Sequence, residues 1–309
     1  MEAIGVDVGG TKIAALRLGA DGAILARAER PTPARDPAAT LEAIAACALE
    51  LRTDAVVGVG IGIAGLVASE PGVVRFSPNA AWRELAVGPF VGERTRLPWR
   101  VDNDATAAAY AEFRFGAGRG VRHLLLVTVG TGIGGGIVAD GVAFRGAHGF
   151  AGEIGHIVVE PDGVPCGCGN RGCLETVASG NAIGRLGREA ASADPSSALA
   201  ASGPLEAIDG RLVTELAHRG DPVSIAVLAE VGRRLGEGIA GLVNALDPER
   251  VVVGGGAIAA GELLLAPARR AHEASVEGRE HRPAVPIVAA ELGNDAGAIG
   301  AAASMFEAS

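Results

Sequence analysis

Two glycine-rich turns, each flanked by apolar strands, constrain this chain more than any other feature. The first interrupts the β-branched segment 3–18 with Gly9-Gly10-Thr11-Lys12. The second follows the apolar run 123–129 with Gly130-Thr131-Gly132-Ile133-Gly134-Gly135-Gly136 and then Ile137-Val138. Short apolar runs of this kind are strand signals, and consecutive glycines end a strand in a tight turn. Two strand–turn–strand units in one chain predict an internal repeat with one copy per lobe. The strands come first and mixed strands and helices follow, which is the order of an α/β chain. We expect a small N-terminal lobe from residues 1–117 plus 296–309 and a large lobe from 118–295, with ligands in the cleft between them.

The rest of the chain agrees with two lobes. Its 309 residues exceed one small core, and 49% hydrophobic with 20% charged residues is a globular composition. Aromatics are scarce, so the core must be built from Val, Leu, Ile and Ala. The apolar stripe Ile225, Leu228, Val231, Leu235, Ile239, Leu242 and Leu246 predicts a long helix ending at Asp247-Pro248. Further helices are expected over 40–51, 105–115 and 293–306, strands over 23–28, 55–63, 251–253 and 285–290, and a loop over 31–37. A net charge of −9 disfavours a nucleic-acid surface. No basic leader precedes an apolar stretch and no apolar run is long enough for a bilayer, so a cytoplasmic protein is expected.

The glycine turns carry the first chemistry. In Asp7-Val8-Gly9-Gly10-Thr11-Lys12, bare backbone N–H groups can approach phosphate oxygens and Asp7 can hold magnesium. Thr11 adds a hydroxyl, and Lys12, the sole lysine of the chain, adds a cation. Thr131 and Gly132 offer a second phosphate turn. Neither turn matches the P-loop or opens a long helix in the dinucleotide-binding manner.

Asp104 stands where a strand meets an Ala-rich helix, beside Asn103. There it can cap the helix, take a proton from an attacking hydroxyl, or do both. Cys166, Cys168 and Cys173 lie within eight residues, and His156 completes a Cys3His set suited to structural zinc with no open position. Glu153 and Glu175 flank that set, where carboxylates can accept hydrogen bonds from sugar hydroxyls and the zinc can brace them. Asn79 offers one donor and one acceptor in a turn-like Ser77-Pro78-Asn79 segment. Cys47 reads as core.

These segments resemble the ROK family of sugar kinases and transcriptional repressors. The resemblance is carried by Asp7 to Lys12, Val101-Asp102-Asn103-Asp104-Ala105, Thr128 to Gly136, Gly152-Glu153-Ile154-Gly155-His156, the run from Cys166 to Glu175, and Val253-Gly254-Gly255-Gly256. Residues 121–180 are similar to the zinc-containing bacterial glucokinases of that family. The resemblance implies a two-lobed actin-like, ribonuclease-H-like ATPase fold and ATP-dependent phosphorylation of a hexose such as glucose, with N-acetylmannosamine, fructose and allose as alternative sugars. It implies Asp104 as general base and sugar contacts from Asn79, Asn103, Asp104, Glu153, His156 and Glu175. It implies zinc on His156, Cys166, Cys168 and Cys173. Phosphates fall on Gly9, Gly10, Thr11, Lys12, Thr131 and Gly132, and adenosine near Gly254, Gly255 and Gly256. A homodimer or homotetramer is also implied. A non-catalytic, sugar-responsive regulator is the lesser alternative the resemblance allows, and an acidic chain with six residues before Asp7 is expected to favour the kinase. Thr106 and Leu174 depart from the family, which often has Asn at the first and an aromatic at the second.

Overall fold

The strand signals at both glycine turns become hairpins in the computed structural model, which describes residues 1–77 and 80–307. The chain divides into two compact units. Unit 1 comprises Met1–Leu126, Gly135–Gly152 and Ala290–Ser309; unit 2 comprises Val127–Gly134 and Glu153–Ala289. In unit 1, β1 (Glu2–Val8) pairs antiparallel with β2 (Lys12–Gly19), and β2 with β3 (Ile24–Pro31). On its other side β1 runs parallel to β4 (Val56–Ile63). A three-stranded meander follows, β5 (Leu66–Ala68), β6 (Val73–Phe76) and β7 (Arg83–Ala86). Then β8 (Trp99–Asn103) joins β4 in parallel, giving the order β3-β2-β1-β4-β8.

The second hairpin is β9 (Leu124–Val129) and β10 (Ile133–Ala139), followed by β11 (Val142–Ala143), β12 (Arg250–Gly254) and β13 (Ile287–Ala289). Its sheet has the order β11-β10-β9-β12-β13. Both five-stranded sheets therefore place their strands in the chain order third, second, first, fourth, fifth. The duplication read from two glycine turns extends to the whole topology.

Small residues explain how unit 1 packs. The Ala-rich helix Ala296–Ser304 lies directly on β1 and β4. A side-chain carbon at Gly60 would fall 1.7 Å from the Ala301 carbonyl oxygen, and one at Gly5 would fall 1.8 Å from that of Ala298. The same helix meets helix Asp104–Phe115 where Gly300 abuts Ala107. Backbones this close leave no space for larger side chains at these positions. The aliphatic core of the sheet, including Ile4, Val6, Ile13, Ile44, Ile61 and Ile63, is fully buried, at about 1.5–3 kcal/mol per large side chain.

Three boundaries differ from the sequence reading. Helix Pro37–Glu50 starts earlier than expected, because Asp36 accepts from Ala39 N and Pro37 occupies the first turn, where its missing N–H costs nothing. Residue 31 ends a strand rather than opening a loop. The closing helix begins at Ala296 after a single 3-10 turn, Gly293–Asp295. In unit 2 the expected long helix spans Pro222–Leu246, capped by Asp221 and ended by Asp247 in the left-handed conformation. Its Gly232 and Gly236 admit the backbone of helix Glu262–Ser275. No helix among the described residues is long and apolar enough to cross a membrane.

Candidate active site

In unit 1 the candidate residues cluster at the ends of parallel strands. Asn103 closes β8 and caps helix Asp104–Phe115: its Oδ1 accepts from Ala105 N at 2.9 Å and Thr106 N at 3.2 Å. Its Nδ2 donates to Gly65 O at 3.2 Å, which fixes the amide. Asp104 is the first helical residue, and its Oδ1 accepts from Ala105 N at 2.9 Å. The capping and proton-accepting readings are thus compatible, since the second carboxylate oxygen is not used by that bond. Burial raises the Asp104 pKa above the ordinary carboxylate range.

Asp7, near the end of β1, is pushed up to about 7, first by burial and then by the Asp104 charge, with Lys12 opposing. Helix Ala296–Ser304 contributes to that burial: a side-chain carbon at Gly297 would lie 2.8 Å from the Asp7 carboxyl carbon. A buried carboxylate whose ionisation is opposed by a second carboxylate suits a hard divalent cation, which would favour the ionised form.

The first glycine turn is closed by Gly9 N donating to Lys12 O at 3.0 Å, and Thr32 Oγ1 donates to Gly9 O at 2.7 Å. Gly10, Thr11 and Lys12 are exposed. The Lys12 ammonium is 3.0 Å from Glu29 on the neighbouring strand. Asn79 lies outside the described residues.

In unit 2 the second turn is buttressed. Gly130 N donates to Gly132 O at 2.9 Å, and Gly180 N donates to Gly130 O at 2.8 Å. Gly180 opens helix Gly180–Ala193, capped by Ser179. The sequence reading missed this helix N-terminus, although Ser179 ahead of a helical stretch was the available signal. Gly255, at φ +86°, presses on Val129, where a side-chain carbon would fall 2.5 Å from the carbonyl oxygen. Thr131, Gly132 and Gly254 to Gly256 are therefore neighbours around the end of β9.

The zinc set also assembles. The ligand atoms of His156, Cys166, Cys168 and Cys173 all lie within 4.8 Å of one another. Cys166 Sγ is 3.6 Å from His156 Nδ1, and Cys168 Sγ is 3.6 Å from Cys173 Sγ. A tetrahedral ion with sulfur at ~2.3 Å has edges of about 3.8 Å, so these donors fit zinc. The loop is held by turns and isolated bridges rather than by a regular strand or helix, among them Cys166 N donating to Asn170 O at 2.8 Å and Gly172 N donating to Val164 O at 2.8 Å. Gly172 is obligatory there: at φ +66°, a side-chain carbon would sit 1.5 Å from the Glu160 carbonyl oxygen.

Both proposed sugar carboxylates of this unit touch the set. Glu153 Oε2 is 3.9 Å from His156 Nε2, and Glu175 Oε1 is 3.8 Å from His156 Nδ1. Cys166 Sγ lies 3.0 Å from Glu175 Oε1, while Glu175 Oε2 accepts from Ile133 N at 3.4 Å beside the second glycine turn. One carboxylate thus joins the Cys3His set to the turn.

Two sheets of this order, a desolvated carboxylate pair and a Cys3His set with attendant glutamates define an actin-like ATPase fold of the sugar kinase type. The chain belongs to the ROK family, whose family model matches residues 3–307. It is 41% identical over 304 residues to the glucokinase of Streptomyces coelicolor, covering 97% of this chain and 96% of that protein. It is 35% identical over 305 residues to the N-acetylmannosamine kinase of Citrobacter koseri, covering 98% of each. Among solved structures, a ROK family glucokinase from Streptomyces griseus in complex with glucose and AMPPNP superposes with a TM-score of 0.86 at 42% identity, over 98% of both chains.

Proposed function

We propose that this protein is an ATP-dependent glucokinase, transferring the γ-phosphoryl group of ATP to the 6-hydroxyl of glucose. One observation carries the reading. Glu153, His156 and Glu175 converge with a complete Cys3His set in a chain that matches, end to end, a glucokinase whose structure holds glucose and an ATP analogue.

Asp104 is the general base. Its raised pKa makes it a stronger proton acceptor than an exposed aspartate, while the helix N-terminus favours its ionised form. It takes the hydroxyl proton as the oxygen attacks phosphorus. Asn103, Glu153, His156, Glu175 and Asn79 hold the remaining hydroxyls and fix which one faces the phosphate. The turns Gly9 to Lys12 and Thr131 to Gly132 bind the phosphates through backbone N–H groups, and Gly254 to Gly256 lie against adenosine. Asp7 is the residue that would hold magnesium, which when bound neutralises developing phosphate charge. His156, Cys166, Cys168 and Cys173 would hold a structural zinc, which when bound would fix His156 and the neighbouring glutamates. From the family resemblance we carry forward a cytoplasmic homodimer or homotetramer feeding glucose 6-phosphate into glycolysis.

The test is ADP release from Mg-ATP across glucose, mannose, fructose, allose, N-acetylglucosamine and N-acetylmannosamine, with Asp104→Asn alongside. Glucose should give the highest kcat/KM, and Asp104→Asn should lower kcat by about 10³-fold with glucose binding retained. A preference for N-acetylmannosamine would move the substrate, and an undiminished Asp104→Asn rate would remove Asp104 from the role.

A further inference from the structure

Strand alternation sends consecutive residues of β8 to opposite faces. Asn103 faces Gly65 and the start of the helix; Asp102 therefore faces the other way, and the proposed chemistry assigns it nothing. Asp102 is nevertheless buried and heavily bonded. Its Oδ1 accepts from Arg145 Nε at 2.6 Å and from Ser69 Oγ at 3.1 Å, and its Oδ2 accepts from Arg145 Nη2 at 2.8 Å. The side chains are only 8% and 24% exposed for Asp102 and Arg145 respectively. The third arm of the guanidinium, Nη1, donates to Ala143 O at 3.1 Å. The hydrogen bond to Asp102 raises the Arg145 pKa, so the guanidinium keeps its charge.

A buried ion pair costs about as much in desolvation as it returns, so stability alone does not account for it. Its fork geometry fixes two elements relative to one another. One is β8, which delivers Asn103 and Asp104. The other is the loop 145–152, which contains three glycines at positive φ, Gly146, Gly149 and Gly152. Without an anchor such a loop has many conformations. It is pinned where Ala151 N donates to Arg145 O at 3.1 Å and where Gly149 abuts β5, its side-chain position 2.3 Å from Val67 O. The next residue in the chain is Glu153, with His156 three residues further on.

We propose that Asp102 and Arg145 form a positioning pair that locks the glycine loop 145–152 onto the strand carrying Asn103 and Asp104, so that the chain enters Glu153 from a fixed point. The proposal rests on the sugar-kinase reading for its kinetic consequence and on the geometry alone for its structural one.

Four variants test it: Asp102→Asn, Arg145→Gln, their double combination, and Arg145→Lys, which keeps the charge but loses the fork. The single amide variants should raise the glucose KM about tenfold or more, with the ATP KM within twofold and one zinc retained per chain. Arg145→Lys should be intermediate. The double variant removes the unpaired charge and should recover most of the lost Tm, yet keep the raised glucose KM. Hydrogen exchange should quicken in 146–156 and stay unchanged in helix Pro222–Leu246. A glucose KM that returns together with Tm in the double variant would reduce the pair to a structural contact. Unaltered exchange in 146–156 would overturn the proposal whatever sugar the enzyme uses. If the wild type turns over none of the sugars, the glucokinase reading fails and the exchange result still judges the pair.

Discussion

The two five-stranded sheets share one strand order and differ in how their chemistry is held. In unit 1 the candidate residues sit on regular structure. Asp7 is in a strand, Asn103 ends a strand, and Asp104 opens a helix, with the closing helix packed onto them through glycines. The cost of that rigidity is electrostatic, since Asp7 and Asp104 are partly desolvated and repel. In unit 2, His156 stands on a single 3-10 turn and the three cysteines lie on or beside an irregular loop joined by turns and isolated bridges. That loop has no hydrophobic core of its own, and Ile157, Val158 and Val159 beside it are exposed. The comparison teaches that one topology offers two ways of fixing a side chain: secondary structure where the carboxylates are buried, and a Cys3His set able to hold a metal where the backbone is irregular.

Removing the metal should break this comparison most severely. Zinc bound to a structural Cys/His set is worth on the order of 10 kcal/mol, and here that energy would order a loop rather than a whole domain. Chelation, or Cys166→Ser, should abolish the zinc found by elemental analysis and lower glucose turnover by ~100-fold or more. Far-UV circular dichroism should change little, because helix Pro222–Leu246 and both sheets do not depend on the loop. Full activity in zinc-free protein would show that backbone bonds suffice to hold Glu175 and His156.

The carboxylate side makes the next prediction, in pH. An unfolded aspartate releases its proton near ~3.9, whereas folded Asp7 holds it to about 7. Between those values the folded state binds more protons than the unfolded, so the Asp7 contribution to stability falls as pH rises. Below pH 4 it is fully favourable; above pH 7 its loss is complete. Asp7→Asn should therefore be roughly 2–4 kcal/mol more stable than the wild type at pH 8 and should lose that advantage near pH 4. It should also be catalytically impaired, the expected trade of stability for a strained, charged site. Denaturant midpoints at the two pH values check the claim. Equal differences at both would mean that Asp7 titrates normally and the desolvated pair is not a distinguishing feature of unit 1.

Much of this was legible in the sequence, for identifiable reasons. The hairpins and helix Pro222–Leu246 have strong periodicity, and the Cys3His spacing is local, so both could be read from neighbours in the chain. The meander β5 to β7 was not read, because its strands are three or four residues long and half-exposed, leaving no clear alternation. The early start of helix Pro37–Glu50 was signalled by Asp36-Pro37 and passed over. Two features were beyond a single sequence. The closing helix burying Asp7 and the salt bridge joining Asp102 to Arg145 link residues hundreds or tens of positions apart. Long-range pairing is set by topology, and no local pattern announces it.

The smallest expected effect lies at the glycine turns. Lys12 gives the first turn a cation that the second turn lacks, yet it is paired with Glu29 across the neighbouring strand. With side chains 53% and 63% exposed, that pair adds under ~1 kcal/mol to stability. Lys12→Gln should thus shift Tm by no more than a degree or two. If Lys12 exchanges Glu29 for phosphate when ATP arrives, Lys12→Gln should raise the ATP KM about three- to tenfold, with the glucose KM unchanged. Glu29→Gln should do the opposite, lowering the ATP KM slightly, because the ammonium no longer has to leave a partner. Both effects should shrink as ionic strength rises, since the charges are exposed and screened. Thr131→Ala, in the turn without a cation, should raise the ATP KM in a salt-independent way, because a hydroxyl rather than a charge is lost. Identical salt dependence in Lys12→Gln and Thr131→Ala would erase the difference between the turns and leave backbone N–H groups as their common means of holding phosphate.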